Sequence, residues 1–110
     1  MVVTTTTDDR RKASKLAGLI VDERLAACVQ ITPIHSVYRW KGRVEKADEL
    51  LLVAKTPARL APRLMRFIRR HHTYELPEIT VMPIAGGLAP YLDWIRDETT
   101  AAPVPRRPSP

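Results

Sequence analysis

Cysteine is nearly absent from this sequence: Cys28 is the only one. No internal disulfide can form, and a reducing, cytoplasmic setting is expected. Long apolar runs are missing too, although 45% of the residues are hydrophobic, so no membrane-spanning segment is expected. The opening Met1-Val2-Val3-Thr4 lacks the basic start and cleavage site of a signal peptide. There is no glycine-rich phosphate loop, no serine–histidine pairing and no metalloprotease motif, and an enzyme is not the expected class. The single phenylalanine, Phe67, falls on an expected helix rather than a strand. An RNA-binding module that stacks bases on strand aromatics is therefore disfavoured.

Positive charge is present in excess. Eighteen lysines and arginines stand against 12 acids, giving +6 and a pI near 10.0. The proline-rich tail 101–110 contributes Arg106 and Arg107 and no acid. The remaining charges are mixed along the chain. A mildly basic surface is the first expectation and a phosphate-binding surface the second, with no nucleic-acid or membrane partner expected.

The 110 residues suit one domain, expected over 1–97, followed by a disordered tail over 98–110. Met1 to Thr7 is rich in valine and threonine and reads as a strand. Asp8 and Asp9 signal a helix start. Ala13, Leu16, Ala17, Ile20 and Val21, at steps of three and four, make one apolar face of a helix over 9–24. Leu25 to Ile31 leads into a second strand. Pro33 marks a bulge or bend, and strand character resumes from Ser36 to Trp40. Lys41-Gly42 is a tight turn, and a third strand runs from Arg43 to Thr56. Pro57 and Pro62 place the next helix start near Leu60. Its apolar face holds Leu60, Leu64, Phe67 and Ile68, and its arginines face water. A fourth strand follows over Glu78 to Pro83, then a Gly86-Gly87 turn and a short helix from Leu88 to Asp97.

The order β-α-β-β-α-β defines an α+β, ferredoxin-like sandwich with a long β-hairpin and a short C-terminal helix. Right-handed crossovers put both main helices on one sheet face. Leu50, Leu52 and Ala54 point one way along the third strand, and Leu51 and Val53 the other. A second cover is needed, and another copy of the chain is the simplest one. The projecting hairpin, with Tyr38 and Trp40 near its tip, points the same way. Tyr38, Trp40, Leu51 and Val53 are the expected interface residues.

The densest chemistry lies in Arg70-His71-His72-Thr73-Tyr74-Glu75-Leu76-Pro77-Glu78-Ile79. His71 and His72 have the imidazoles that suit copper, zinc or nickel. Adjacent side chains on a strand point apart, however, and a metal site usually needs three or four ligands. Glu75 or Glu78 would have to add one. The structural alternative is a helix C-terminus, where histidine suits the dipole. Glu75 and Glu78 are also candidates for an acid–base pair. Tyr74 with Lys55 would line a cleft between subunits suited to a small anionic ligand. Cys28 reads as a buried small hydrophobe and His35 as a loop residue. Tyr91 and Trp94 read as core or interface.

Five motifs occur together: Leu25-Ala26-Ala27-Cys28-Val29, Tyr38-x-Trp40-x-Gly42-x-x-Glu45, Lys55-Thr56, His72-x-Tyr74-Glu75-x-Pro77-Glu78-Ile79 and Tyr91-x-x-Trp94. In this order they resemble the CutA family, the divalent-cation tolerance proteins, over about residues 2 to 97. The resemblance implies a cytoplasmic homotrimer whose long hairpins pair between subunits. It also implies a link to copper or another divalent metal ion and no known catalysis. By the same likeness, copper would involve paired histidines at His71 and His72 and a first-strand cysteine. Counting back from the shared Leu-Ala-Ala-Cys-Val puts that cysteine at Thr5, so the thiol is missing here. The family's usual proline after the second histidine is Thr73. The rival reading is a PII-like signalling trimer that binds a small anionic ligand or a partner protein at inter-subunit clefts.

Overall fold

A computed structural model describes residues 1–100. Of the tail expected to be disordered, 98–110, Glu98 ends the last helix and Thr99 is buried, and 101–110 lies outside the described residues. Four strands and three helices follow the expected order: β1 (Val2–Thr7), α1 (Arg10–Asp22), β2 (Cys28–Trp40), β3 (Arg43–Lys55), α2 (Ala61–His71), β4 (Ile79–Met82) and α3 (Ala89–Glu98), with a 3-10 turn at Ala58–Leu60 before α2. The antiparallel sheet has the order β2-β3-β1-β4, so the fold is the ferredoxin-like α+β sandwich.

Helix α1 starts where its cap predicts: the Asp9 side chain accepts from the Arg11 N–H at 3.0 Å. It ends in a Schellman turn that no glycine announces. Arg24 takes the left-handed conformation, φ 57. The Arg24 N–H reaches the Val21 carbonyl and the Leu25 N–H the Ile20 carbonyl, each at 3.0 Å. The Arg24 guanidinium then donates to the Glu98 carbonyl at 3.0 Å and ties α1 to the end of α3. The Thr99 hydroxyl is buried and donates to the Ile95 carbonyl at 2.8 Å.

Register divides the sheet into two faces. Ile31, Leu52, Thr5 and Ile79 share one row, and Gln30, Val53, Thr4 and Thr80 share a neighbouring one on the opposite face. Leu50, Leu52 and Ala54 are buried with Ala13, Leu16 and Ile20 of α1 and Leu64 and Ile68 of α2 in one core. Leu51 and Val53 lie on the face away from that core and are only part-buried. That second face is less greasy than β3 alone implies, because threonines 4, 6, 32 and 80 share it.

Two expectations need correction. Pro33 makes no bulge: β2 and β3 pair one to one from Cys28↔Lys55 to Trp40↔Arg43, with Pro33 opposite Leu50. Strand β2 is an edge, where a residue without an N–H is tolerated. His35 is not a loop residue: it sits in β2, and its Nδ1 lies 2.8 Å from Asp48 on the opposite strand.

The hairpin closes with Lys41 (φ 51) and Gly42 (φ 80), both in the left-handed region. This is the two-residue turn whose twist suits antiparallel strands. Strand β1 pairs with β3 only from Leu50 to Lys55. From Ile34 to Glu49 the hairpin has no third strand, and the molecule extends to 59 × 29 × 22 Å.

Candidate functional site

Helix α2 stops at His71 because His72 turns extended, φ −84 and ψ 147, well before Pro77. The His72 ring Nε2–H donates to the Thr6 carbonyl at 2.6 Å, and Nδ1 accepts the Tyr74 N–H at 3.1 Å. A carbonyl only accepts and an amide N–H only donates, so the partners fix a neutral ring protonated on Nε2. Both nitrogens are occupied. The ring also stacks on Tyr74, centroids 4.7 Å apart.

His71 is arranged differently. Its Nδ1–H donates to the Phe67 carbonyl at 2.9 Å, and its ring stacks on Phe67 at 4.2 Å. Its Nε2 makes no hydrogen bond among the described residues, and the side chain is exposed. An imidazole oriented through one nitrogen by a carbonyl, with the other lone pair free, is the arrangement metal-binding histidines use. Of the two adjacent histidines, one pins the loop to β1 and one offers a donor to solvent.

The rest of the loop is tied to the hairpin. Tyr74 donates its hydroxyl to Glu49 at 2.8 Å. Burial, then the Glu49 hydrogen bond and charge, with smaller contributions from Asp8 and Tyr38, hold the phenol above its ordinary value of 10.0. Glu75 pairs with Lys41 at 3.6 Å, near the hairpin tip. Glu78 instead receives the Thr4 hydroxyl at 3.5 Å, and Thr4 also contacts the Thr80 hydroxyl. The two glutamates therefore have separate partners, with no shared cleft in one chain.

Lys55 and Tyr74 are not brought together either. Six residues of β3 separate Glu49 from Lys55, about 20 Å of strand. Lys55 Nζ lies 3.5 Å from the Tyr91 hydroxyl and 5.5 Å from its ring centroid. Tyr91 stacks on Trp94 at 5.5 Å, and both remain exposed. Cys28, directly opposite Lys55, is half-buried rather than fully enclosed. At the tip, Trp40 is half-buried, and Tyr38 is exposed.

Thr5 is the residue at which the resemblance implies a cysteine. It is 1% exposed, in an apolar row between Leu52 and Ile79, and its hydroxyl has no partner. Its side chain faces the helix-covered core. Among the described residues, no group of three or more His, Cys, Asp or Glu side chains is placed to hold a metal ion. The residues of one chain do not by themselves fit a metal centre.

Sequence reading missed Glu49 and Lys41 as partners of the loop. The hairpin register would have placed Glu49 opposite Ile34, near the base of the projecting arm. Nothing in the sequence shows that the loop would lie along it.

An antiparallel four-stranded sheet with two helices on one face, a projecting hairpin and a loop latched to it define the class: a ferredoxin-like α+β subunit. The family model for the CutA1 divalent ion tolerance protein matches residues 1–98, and the chain belongs to that family. The divalent-cation tolerance protein CutA of Thermus thermophilus is 44% identical over 99 residues, covering 89% of this chain and 96% of that protein. A solved structure of the Thermus protein superposes with a TM-score of 0.86, covering 90% of this chain and 97% of that one. The chloroplastic CutA of Arabidopsis thaliana is 43% identical over 100 residues, 90% of this chain and 55% of that protein. The chain thus spans about half the length of the plant relative. A Nostoc protein described as PII-like CutA in apo form is 33% identical with a TM-score of 0.85, covering 92% and 98% of the two chains. No helix among the described residues is long and apolar enough to cross a membrane.

Proposed function

We propose that the chain works as a cytoplasmic, non-enzymatic homotrimer in divalent-cation tolerance, taking up its ligand at seams between subunits. One observation carries this reading. The hairpin beyond Leu50 has no third strand, and its Val37, Tyr38 and Val44 are exposed. A two-stranded ribbon is marginal alone in water, and its free edges invite strand pairing. Pairing with the arm of another copy satisfies both, and Leu51 and Val53 lie on the face that such copies would cover. The part-buried state of Leu51, Val53 and Trp40 supports the expected interface.

A divalent ion such as Cu2+ is then cargo bound between copies, not a resident cofactor. His71 is the donor this chain offers, and further ligands come from another subunit. His72 holds the loop and acts only through it. Isothermal titration with Cu(II), on protein purified without a histidine tag, tests this. Binding should vanish in His71→Ala. Undiminished binding in that variant removes His71 from the site.

The PII-like reading is the second one, favoured by the cation–phenol–indole cluster of Lys55, Tyr91 and Trp94. In a trimer, Tyr74, Glu75 and Glu78 of one copy would complete the cleft facing Lys55 of another. A panel of nucleotides and small anions should then raise the melting temperature of the wild type and not of Lys55→Ala. Absence of any shift across the panel counts against it.

A further inference from the structure

Basic residues, mixed with acids over the chain as a whole, are bunched in two places. Half of the 18 lysines and arginines lie in two stretches, four from Arg10 to Lys15 and five from Arg59 to Arg70, and neither stretch contains an acid. Arg59, Arg63, Arg66 and Arg70 follow one another at steps of four, three and four. Arg59 lies in the 3-10 turn just before α2, and Arg63, Arg66 and Arg70 share one side of that helix, with Arg69 beside them. The buried residues Ala61, Leu64 and Ile68 hold the opposite side, so the arginine stripe points straight into solvent. All five are exposed, and none forms an ion pair among the described residues. Like charges at such spacing repel, so the bare helix is poorer for them.

We propose that this helical face binds the phosphate backbone of double-stranded nucleic acid without reading its sequence. Three features favour that partner. First, the stretch uses arginine alone, whose planar guanidinium grips phosphate oxygens through paired hydrogen bonds. Second, the stripe runs about 16 Å, the length of an eleven-residue helix, and His71, next to Arg70, lines a crevice of about 220 Å³ with Lys15 and with Lys12, which pairs with Asp8. Third, the large exposed apolar side chains lie on α1, the hairpin, β4, the loops and α3, and none is on α2. A bilayer-binding helix needs such residues to insert, and a single strand needs exposed aromatics for stacking. A rigid duplex needs neither. The proposal does not depend on the subunit count, because the stripe is complete in one chain.

Fluorescence anisotropy with a labelled 20-base-pair duplex of arbitrary sequence, from 50 to 200 mM salt, tests it. Wild-type protein should bind with a log–log salt slope of about −4, one phosphate per stripe arginine. Arg63→Gln/Arg66→Gln/Arg70→Gln should lose at least about tenfold in affinity at 100 mM salt and about three units of slope. The lysine triple, Arg63→Lys/Arg66→Lys/Arg70→Lys, should keep the slope. Arg39→Gln/Lys46→Gln/Arg96→Gln, with equal charge loss elsewhere, should change affinity less than about threefold. The proposal is overturned by any of these results: no binding at 50 mM salt, equal losses in both glutamine triples, or tighter binding to vesicles of 30% phosphatidylserine than to the duplex.

Discussion

The β2–β3 ladder is one unbroken hairpin in two surroundings. Its inner half, Cys28–Pro33 against Leu50–Lys55, lies in a four-stranded sheet with two helices above it. Its outer half, Ile34 to Glu49, has the same cross-strand pairing but no third strand beside it, only the loop contacts of Tyr74 with Glu49 and Glu75 with Lys41. Leu52 in the inner half is 1% exposed, whereas Val37 and Val44 in the outer half are each 59% exposed. Both halves alternate and both turn residues fit, so local chemistry forms strand in each. What differs is the burial that would hold the strand in place; in the outer half, on the function proposed above, another copy of the chain supplies it.

The largest effect that sharpens this contrast is Leu52→Ala. It removes a buried side chain from the core and should cost about 3 kcal/mol in urea unfolding. Val44→Ala in the arm should leave that quantity nearly unchanged at high protein concentration. It should instead steepen the fall of melting temperature on dilution, as expected when stability is supplied by association. Equal effects of the two substitutions would erase the distinction.

His72→Ala comes next. It leaves the Thr6 carbonyl and the Tyr74 N–H without their shared partner, a loss of about 2 kcal/mol. His71→Ala, whose ring lies on the surface, should cost much less. Thermal melts of the two variants side by side check this.

Tyr74→Phe should cost about 1 kcal/mol near neutral pH by releasing Glu49, and it should also change the alkaline limb of the stability curve. The phenol's value is raised in the folded chain, so its stabilising contribution is whole below pH 10.0, the ordinary tyrosine value, and is lost as pH climbs above it. The wild type should therefore lose more stability than Tyr74→Phe between pH 9 and 12. Parallel urea titrations across that range would show it.

The smallest effect has the opposite sign. Thr5→Val replaces an unpartnered buried hydroxyl with a methyl of nearly the same volume and should gain about 1 kcal/mol. A loss would mean that the hydroxyl has a partner, such as an ordered water.

The elements were legible because their signals are local. Asp9 caps α1, Pro57 precedes α2 and Pro62 sits in its first turn, and alternation in β3 divides its faces. Arg24 was not legible as a helix stop, because the left-handed residue there is arginine and not glycine. Pro33 misled because a missing N–H matters only on a paired side, and which side of β2 is paired follows from strand order. Around the loop, sequence did not show which partners its residues take in the fold. The adjacent histidines look equivalent in one dimension; in the fold one ring spans to Thr6 and the other faces solvent. The charge balance of the whole chain also hides a local pattern: from Arg59 to Arg70 there are five arginines and no acid.

Sedimentation equilibrium across nanomolar to micromolar protein is the direct measurement of the central claim that other copies complete the hairpin arm. The account predicts a mass close to three times the 12.5 kDa of one chain, falling when Tyr38 and Val44 are both replaced by lysine. A stable species of single-chain mass at micromolar concentration would contradict it.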